Sequence, residues 1–419
     1  MKILIKHADY FDGRTDALKR DAKIVVEDNL VTEITYDAVS EEGFDRVLDA
    51  QGYTVLPGLV DNHVHTAMHL GNGARFDETI VHGVRNAKRF LYNGFTTVRD
   101  AGGVTYGIKK AIDDGVIEGP RMFPSNAFIT QTCGHGDFRE SRGEVRLADG
   151  VYSSPTLRSG ESYVADGAAE VLKGVREQLF LGASQIKIMA GGGASSDYDP
   201  ILTTQFTLEE MQAAVNAASD YGTYVMAHLY TKESMMRAAK AGVRSFEHAT
   251  ELDDELAKVM ADQGIFICVC PNPSKRKNEA LPFFANRPKK PGAERIHESR
   301  KHQHEFILKY DLPLLFGTDY METIVGGLED AQRKDWFSFE ERFGSYRSLR
   351  AATGTAHELI KLTTYQNPYP AGKIGVLEEG AFADILIVRG NPLEQVSVLA
   401  ETDNLKLIMK DGKLYKDEL

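Results

Sequence analysis

What most constrains this chain is a repeated order: short apolar runs, each followed by a stretch with helical spacing. Eight runs can be placed: Val55 to Val60, Thr96 to Arg99, Arg121 to Phe128, Gln185 to Met189, Tyr224 to Ala227, Ser245 to Glu247, Ile265 to Cys270 and Leu312 to Phe316. Between them, Val171, Val175 and Leu179, then Leu208, Met211 and Val215, then Leu256 and Met260 recur at three- and four-residue steps, the spacing of one helical face. A buried strand followed by an amphipathic helix is a βα unit, and eight such units in about 300 residues predict a (β/α)8 TIM barrel with inserted loops.

The two ends follow a different grammar. From Lys2 to about Val55, apolar runs alternate with turn residues such as Glu27-Asp28-Asn29, which reads as a small antiparallel sheet. The tail resumes this pattern with Ala383 to Val388, Leu405 to Met409, and an Asp411-Gly412 hairpin turn before Leu414 and Tyr415. The expected fold class is α/β, with residues 1–56 and 365–419 completing one small β-sandwich domain beside a barrel of residues 57–364. Two inserts interrupt the barrel pattern, Gln131 to Ser162 and Pro271 to Pro291. Loops of this length serve as lids or substrate walls, or are surface ornament.

A chain of 419 residues, 42% hydrophobic and 26% charged, can bury a large core. Its net charge of -12 removes the electrostatic reason for holding phosphate backbones or anionic lipid, so nucleic acid and membrane are not expected partners. No run approaches membrane-spanning length. Met1 to Lys6 runs straight into charged residues without the features of a signal peptide, and Cys133, Cys268 and Cys270 are too few and scattered for a disulfide framework. The expected setting is the cytoplasm. Lys416-Asp417-Glu418-Leu419 spells an ER-retention address, read here as coincidence because it acts only on a chain that has entered the ER.

Polar residues break the apolar runs at or just beyond their C-terminal ends, where barrel active sites are built. After the first run comes Asp61-Asn62-His63-Val64-His65, and residues two apart in a strand present both imidazoles to one side. The fifth run ends in His228, the sixth in Glu247-His248 and the eighth in Gly317-Thr318-Asp319. Any one histidine is compatible with a satisfied core residue; the repetition at successive strand ends points to metal. In the fourth run Lys187 lies between Ile186 and Ile188, and a buried ammonium is costly and tends to lose its proton. It is either ion-paired or snorkelling, or it is a neutral amine able to capture carbon dioxide as a carbamate.

These motifs, with Leu56-Pro57-Gly58-Leu59-Val60-Asp61, Phe95-Thr96-Thr97-Val98-Arg99-Asp100 and the stretch from Gly375 to Asp384, resemble the amidohydrolase superfamily over nearly the whole chain. Ile186 to Gly193 and His228-Leu229-Tyr230 are similar to its imidazolonepropionase-related branch of dipeptidases, carboxypeptidases and ochratoxin-type amidases. The resemblance implies that His63, His65 and Asp319 hold one zinc ion, that His228 and His248 hold a second, and that carboxylated Lys187 bridges them. It implies hydrolysis of the amide bond of a dipeptide or N-acyl amino acid, of Xaa-Pro or Xaa-hydrophobic type. Asp319 would carry the proton from water to the leaving nitrogen. It also implies a homo-oligomer, often an octamer.

His135, in Cys133-Gly134-His135-Gly136-Asp137, is expected to contact the substrate carbonyl or carboxylate, and Tyr230 to donate to the same group; a loop histidine and a packed tyrosine are the alternatives. Arg99 and Asp100 read as a structural pair, His302 and His304 as part of a solvated helix face with Arg300 and Lys301, and His69 and His82 as uncommitted. Lys275, Arg276, Lys277, Arg287, Lys289 and Lys290 would favour an acidic substrate group or form a solvated charge run. Rival functions are hydrolysis of a xenobiotic amide, carbamate or urea, hydrolysis of a cyclic amide, and a scaffold that has lost catalysis.

Overall fold

The apolar runs fold as parallel strands. The structure, a computed structural model, describes residues 1–68, 75–139, 155–196, 198–270, 290–321 and 331–419. The barrel strands, taken in order, are Leu59–Val64, Phe95–Asp100, Arg121–Phe123 continued by Phe128–Thr130, Ile186–Met189, Val225–Leu229, Ser245–His248, Phe266–Val269 and Leu314–Phe316. Neighbours in this order pair in parallel throughout. The ring closes between the eighth strand and the first, where Asp319 N donates to His63 O and His65 N to Tyr320 O, both at 2.8 Å.

Two runs divide where the sequence suggested continuity. Arg121–Phe123 pairs with the second strand and Phe128–Thr130 with the fourth. Pro124 between them has no amide hydrogen to give a ladder, and its carbonyl instead accepts from Ser184 N at 2.7 Å. The first run parts at Gly58: Thr54–Pro57 joins the sheet of the chain ends, while Leu59–Val64 opens the barrel.

That end sheet has eight strands, drawn from Lys2 to Pro57 and from Ile385 to Asp417. It is mixed rather than antiparallel, because Ile3–Lys6 pairs in parallel with Arg46–Asp49 and Asp9–Tyr10 with Thr54–Val55. Alternate residues divide its two faces. Ile3, Ile5, Ile24, Val55, Ile385, Ile387, Leu407 and Met409 close over one shared core, in the manner of a sandwich. Leu56, Leu386, Val388 and Ile408 join the barrel core instead. Arg121, at the start of the third strand, ties the two parts by ion pairs to Asp384 (3.1 Å) and Asp411.

The helices carry their own stop and start signals. Thr207 caps Leu208–Asp220 by accepting from Glu210 N, and the Glu210 side chain reaches back, a capping box. Asp253 caps Asp254–Gln263, which ends on the left-handed Gly264. Their inward residues Met211, Leu256 and Met260 are fully buried, each worth about 1.5–3 kcal/mol of transfer free energy. Most of the two inserts (140–154 and 271–289) lies outside the described residues, as do His69 and all the charged insert residues named above except Lys290. Among the described residues no helix is long and apolar enough to cross a membrane.

Candidate metal centre

The fourth strand shows how the barrel sorts its side chains. Ile186 and Ile188 point outward into the core shared with the helices, so Lys187 points into the barrel, where it is 1% exposed. Its amine lies 3.5 Å from His63 Nε2. Burial is the main force lowering its pKa, although the charges of Glu247 and Asp319 oppose it.

His63 and His65 reach the same space from the end of the first strand. His63 Nδ1 donates to Glu247 Oε2 at 2.6 Å and His65 Nδ1 to the Gly102 carbonyl at 2.9 Å. A carboxylate and a carbonyl only accept, so both Nε2 atoms are left with lone pairs. Each Nε2 is 3.4 Å from Asp319 Oδ1, and the three ligand atoms lie within 4.8 Å of one another. Burial, then the Lys187 charge, brings His63 down to about 4. Burial works to raise Asp319, but His65, His63 and His248 outweigh it and hold this carboxyl well below the usual range.

The other two histidines stand opposite. The His228 and His248 rings are 4.6 Å apart, and His248 is 5.3 Å from His63. His228 Nε2 donates to Gly192 O at 3.2 Å, leaving Nδ1 as its free donor atom. Burial lowers both pKa values well below the ordinary histidine range, so both rings are neutral. Four imidazoles, a carboxylate and a buried amine make a donor set suited to zinc-like cations. Cys268 and Cys270 also come within 4.8 Å of a His63 nitrogen, but burial raises both thiols and keeps them protonated, which makes them poor ligands.

Backbone strain marks the same place. His248 (φ 68°), Ala249 (φ 43°) and Asp319 (φ 51°) are left-handed without being glycine, at about 1–3 kcal/mol each. Gln303 holds the first pair by donating to the carbonyls of His248 and, at 2.8 Å, Ala249. Asp61 holds the strand ends around Asp319, accepting from Thr318 Oγ1 (2.7 Å), Gln332 Nε2 (2.9 Å) and the amides of Thr318 and His63. Gly317 is needed because a Cβ there would meet Cys268 Sγ and His63 Cβ.

Arg99 and Asp100 do not pair with each other, since adjacent strand residues face opposite sides. Arg99 instead grips Glu247 with two contacts of 2.9 and 3.0 Å, and Asp100 accepts from Thr66 N and Gly102 N, shaping the turn that meets His65. Burial opposes the charge on Glu247, but Arg99 and His63 overcome it and drive its pKa far down. Glu247 therefore stays ionised behind His63. The sequence held a signal for this: Arg99 and Glu247 are opposite charges within buried runs, and each needed a partner.

His135 and Tyr230 border the cluster. His135 stacks on His228 with ring centres 4.2 Å apart, and Tyr230 stands 4.8 Å from His228 and 5.3 Å from His248. His135 Nδ1 meets Ser196 Oγ at 2.8 Å, and Ser196 in turn donates to Asp199. Lys290 donates to the carbonyls of Gly193 (2.7 Å) and Asp199 (2.6 Å) and to Asp199 Oδ1 (3.1 Å). Burial pushes Asp199 up, but His135, Lys290 and Ser196 bring it to about 2. The glycine that admits His135 is Gly193, where a Cβ would occupy the imidazole's place. His302 is exposed and paired with Glu305.

A model of the amidohydrolase family matches residues 54–415. Ochratoxinase of Aspergillus niger is 30% identical over 95% of this chain and 83% of its own length. Among solved structures, a prolidase complexed with N-methylphosphonate-L-proline superposes with a TM-score of 0.86 at 31% identity, each chain fully covered. A Xaa-Pro dipeptidase with methionine bound in its active site gives a TM-score of 0.83 at 30% identity, over 99% of this chain and 100% of the other.

Proposed function

From the premise that this chain belongs to the amidohydrolase family, and is a hydrolase of C–N bonds, we propose that it cleaves dipeptides or N-acyl amino acids of Xaa-Pro or Xaa-hydrophobic type. The family is generally metal-dependent, and the donor set described above fits a pair of zinc ions. His63, His65 and Asp319 would hold one, His228 and His248 the other, with Lys187 as a carbamate between them. The observation that carries this reading is Lys187: a lysine 1% exposed, with its amine 3.5 Å from a histidine nitrogen, is a liability unless it is converted into a ligand. Its neutral amine adds carbon dioxide and releases one proton, giving a carbamate with two donor oxygens.

Bound there, zinc would supply a Lewis acid for the scissile carbonyl and a water of lowered pKa. The chain's own groups do the rest. Asp319 takes the proton of the attacking water and passes it to the leaving nitrogen, one carboxylate serving as base and then acid. Glu247 fixes the His63 tautomer. His135 and Tyr230 orient the substrate; burial raises the Tyr230 pKa, so its hydroxyl remains a donor.

Two related enzymes support the dipeptide reading, a prolidase and a Xaa-Pro dipeptidase, while the likeness to ochratoxinase supports a second one, hydrolysis of a xenobiotic amide of the ochratoxin type. A homo-oligomer, up to an octamer, and a cytoplasmic setting belong to the same proposal, and light scattering tests the former. The deciding experiment is hydrolysis of a dipeptide library by protein whose zinc content is assayed on the same sample. Cleavage of one leaving-residue class at about two metals per chain is the expected result; full loading with no dipeptide cleaved would redirect the search to aryl amides, carbamates and cyclic amides.

A further inference from the structure

One side of the rim joins a serine, an imidazole and a carboxylate in line. His135 Nδ1 lies 2.8 Å from Ser196 Oγ and 3.6 Å from Asp199 Oδ2, while Ser195 Oγ lies 3.5 Å from the ring's other nitrogen, Nε2. Ser196 donates its one hydroxyl hydrogen to Asp199, and Lys290 also donates to Ser196 Oγ at 3.3 Å. Toward His135, Ser196 can therefore only accept, so Nδ1 carries the ring hydrogen. In the neutral ring the Nε2 lone pair then faces the Ser195 hydroxyl.

Three contacts hold the imidazole in that orientation. The His135 amide donates to Gln205 Oε1 at 2.8 Å, His228 stacks on the ring, and Gly193 lies so close that a Cβ there would overlap it. Gly193 N in turn donates to Asp199 Oδ2 at 2.7 Å, which fixes the carboxylate. Exposure separates the two serines: Ser196, His135 and Asp199 are buried, whereas Ser195 is half-buried and within reach of solvent. A reachable hydroxyl, a base behind it and a buried carboxylate that orients the base fill the three roles of a nucleophilic serine site, which is recognised by geometry and not by sequence order.

We propose that Ser195 is a nucleophile toward activated esters, with His135 as its general base and Ser196 and Asp199 as positioning residues. The Ser195 oxygen attacks the ester carbonyl carbon, and its proton passes to His135 Nε2. The bond to the leaving oxygen breaks, the departing alcohol or phenol takes that proton, and the acyl group stays on Ser195. Water then attacks the acyl-serine and gives a proton to Nε2, which returns it to Ser195 Oγ as the carboxylic acid departs. The sum is ester and water to acid and alcohol. At 3.5 Å the contact between hydroxyl and base is loose and tightens only as the hydroxyl turns, which suits esters whose leaving group departs unaided. No metal enters these steps, so the inference stands apart from the amide-cleavage reading.

The test uses zinc-loaded protein and a fluorophosphonate, whose phosphorus Ser195 attacks with loss of fluoride, leaving a stable label. Hydrolysis at the metal centre would consume the reagent without marking the chain, so the label isolates the serine. Peptide mapping by mass spectrometry is expected to find about one label per chain, on Ser195. His135→Gln should slow labelling by about 10²–10⁴-fold, and Ser196→Ala by less, with circular dichroism checking that both variants are folded. Complete labelling should also lower the hydrolysis of p-nitrophenyl acetate. A label absent from Ser195, or one that forms there as fast in His135→Gln as in the wild type, overturns the proposal; an ester rate untouched by complete labelling overturns the ester activity. If His135→Gln fails to fold, Ser196→Ala decides, and labelling at the wild-type rate in that variant overturns the assignment.

Discussion

The inner cluster and its rim are held in opposite ways. Around His63, His65 and Asp319, every anchor comes from strands or the turns just after them: Glu247 from the sixth strand, Gly102 beyond the second, and Asp61 within the first. Around His135 the anchors are Ser196, Asp199 and Gln205 from one loop, with Lys290 bolting that loop to the start of another helix. Strand anchors are built into the hydrogen-bonded ladder and cannot shift singly. Loop anchors depend on one another, so the rim can vary with substrate while the inner cluster stays fixed.

This contrast predicts different losses. The largest belongs to the inner cluster: Asp319→Asn should lower kcat by about 10²–10⁴-fold, the range of a lost general acid and base, with the fold retained by circular dichroism. Turnover close to wild type would remove Asp319 as the proton carrier. One step further out, Glu247→Gln leaves His63 a neutral partner and Arg99 an unpaired buried charge. Zinc affinity should fall about 10- to 100-fold in chelator competition. Stability should fall as well, by about 3–5 kcal/mol. The double variant Arg99→Met with Glu247→Gln should recover stability but not affinity. Recovery of both would mean that Glu247 serves the fold alone.

The same contrast explains what could be read in the sequence. His63, His65, His228, His248 and Asp319 were visible because each interrupts an apolar run at its end, and strand periodicity says which way such a residue faces. Lys187 was visible because a charge between two isoleucines needs an explanation. Pairing Arg99 with Asp100 ignored that same periodicity; the partner lay four strands away, at Glu247. The rim was mostly out of reach. Asp199, Ser196 and Lys290 follow no period, and only the folded chain brings Lys290 within 3.1 Å of a residue 91 positions earlier. Nor did composition reveal that the end sheet is mixed, since parallel and antiparallel edges bury the same alternating residues.

Rim variants should spare the metal, and this is where the comparison can fail. Gly193→Ala places a methyl group in the space of the His135 ring, so the imidazole must leave its stack on His228. An increase of about tenfold in KM, with zinc content unchanged, is the expected outcome. Lys290→Met is milder. Its loss frees Asp199 from one of several partners, since Gly193 N at 2.7 Å and Ser196 still hold that carboxylate. Removing a hydrogen bond to a charged group costs about 1.5–3 kcal/mol when nothing replaces it, and solvent at this half-buried edge replaces part. The effect on KM should therefore stay at about threefold to tenfold, smaller than that of Gly193→Ala. If Lys290→Met instead released zinc, the loop and the strands would be coupled through His228, whose ring nitrogen is bound to Gly192 at 3.2 Å in that same loop, and the division between a fixed inner cluster and an adjustable rim would no longer hold.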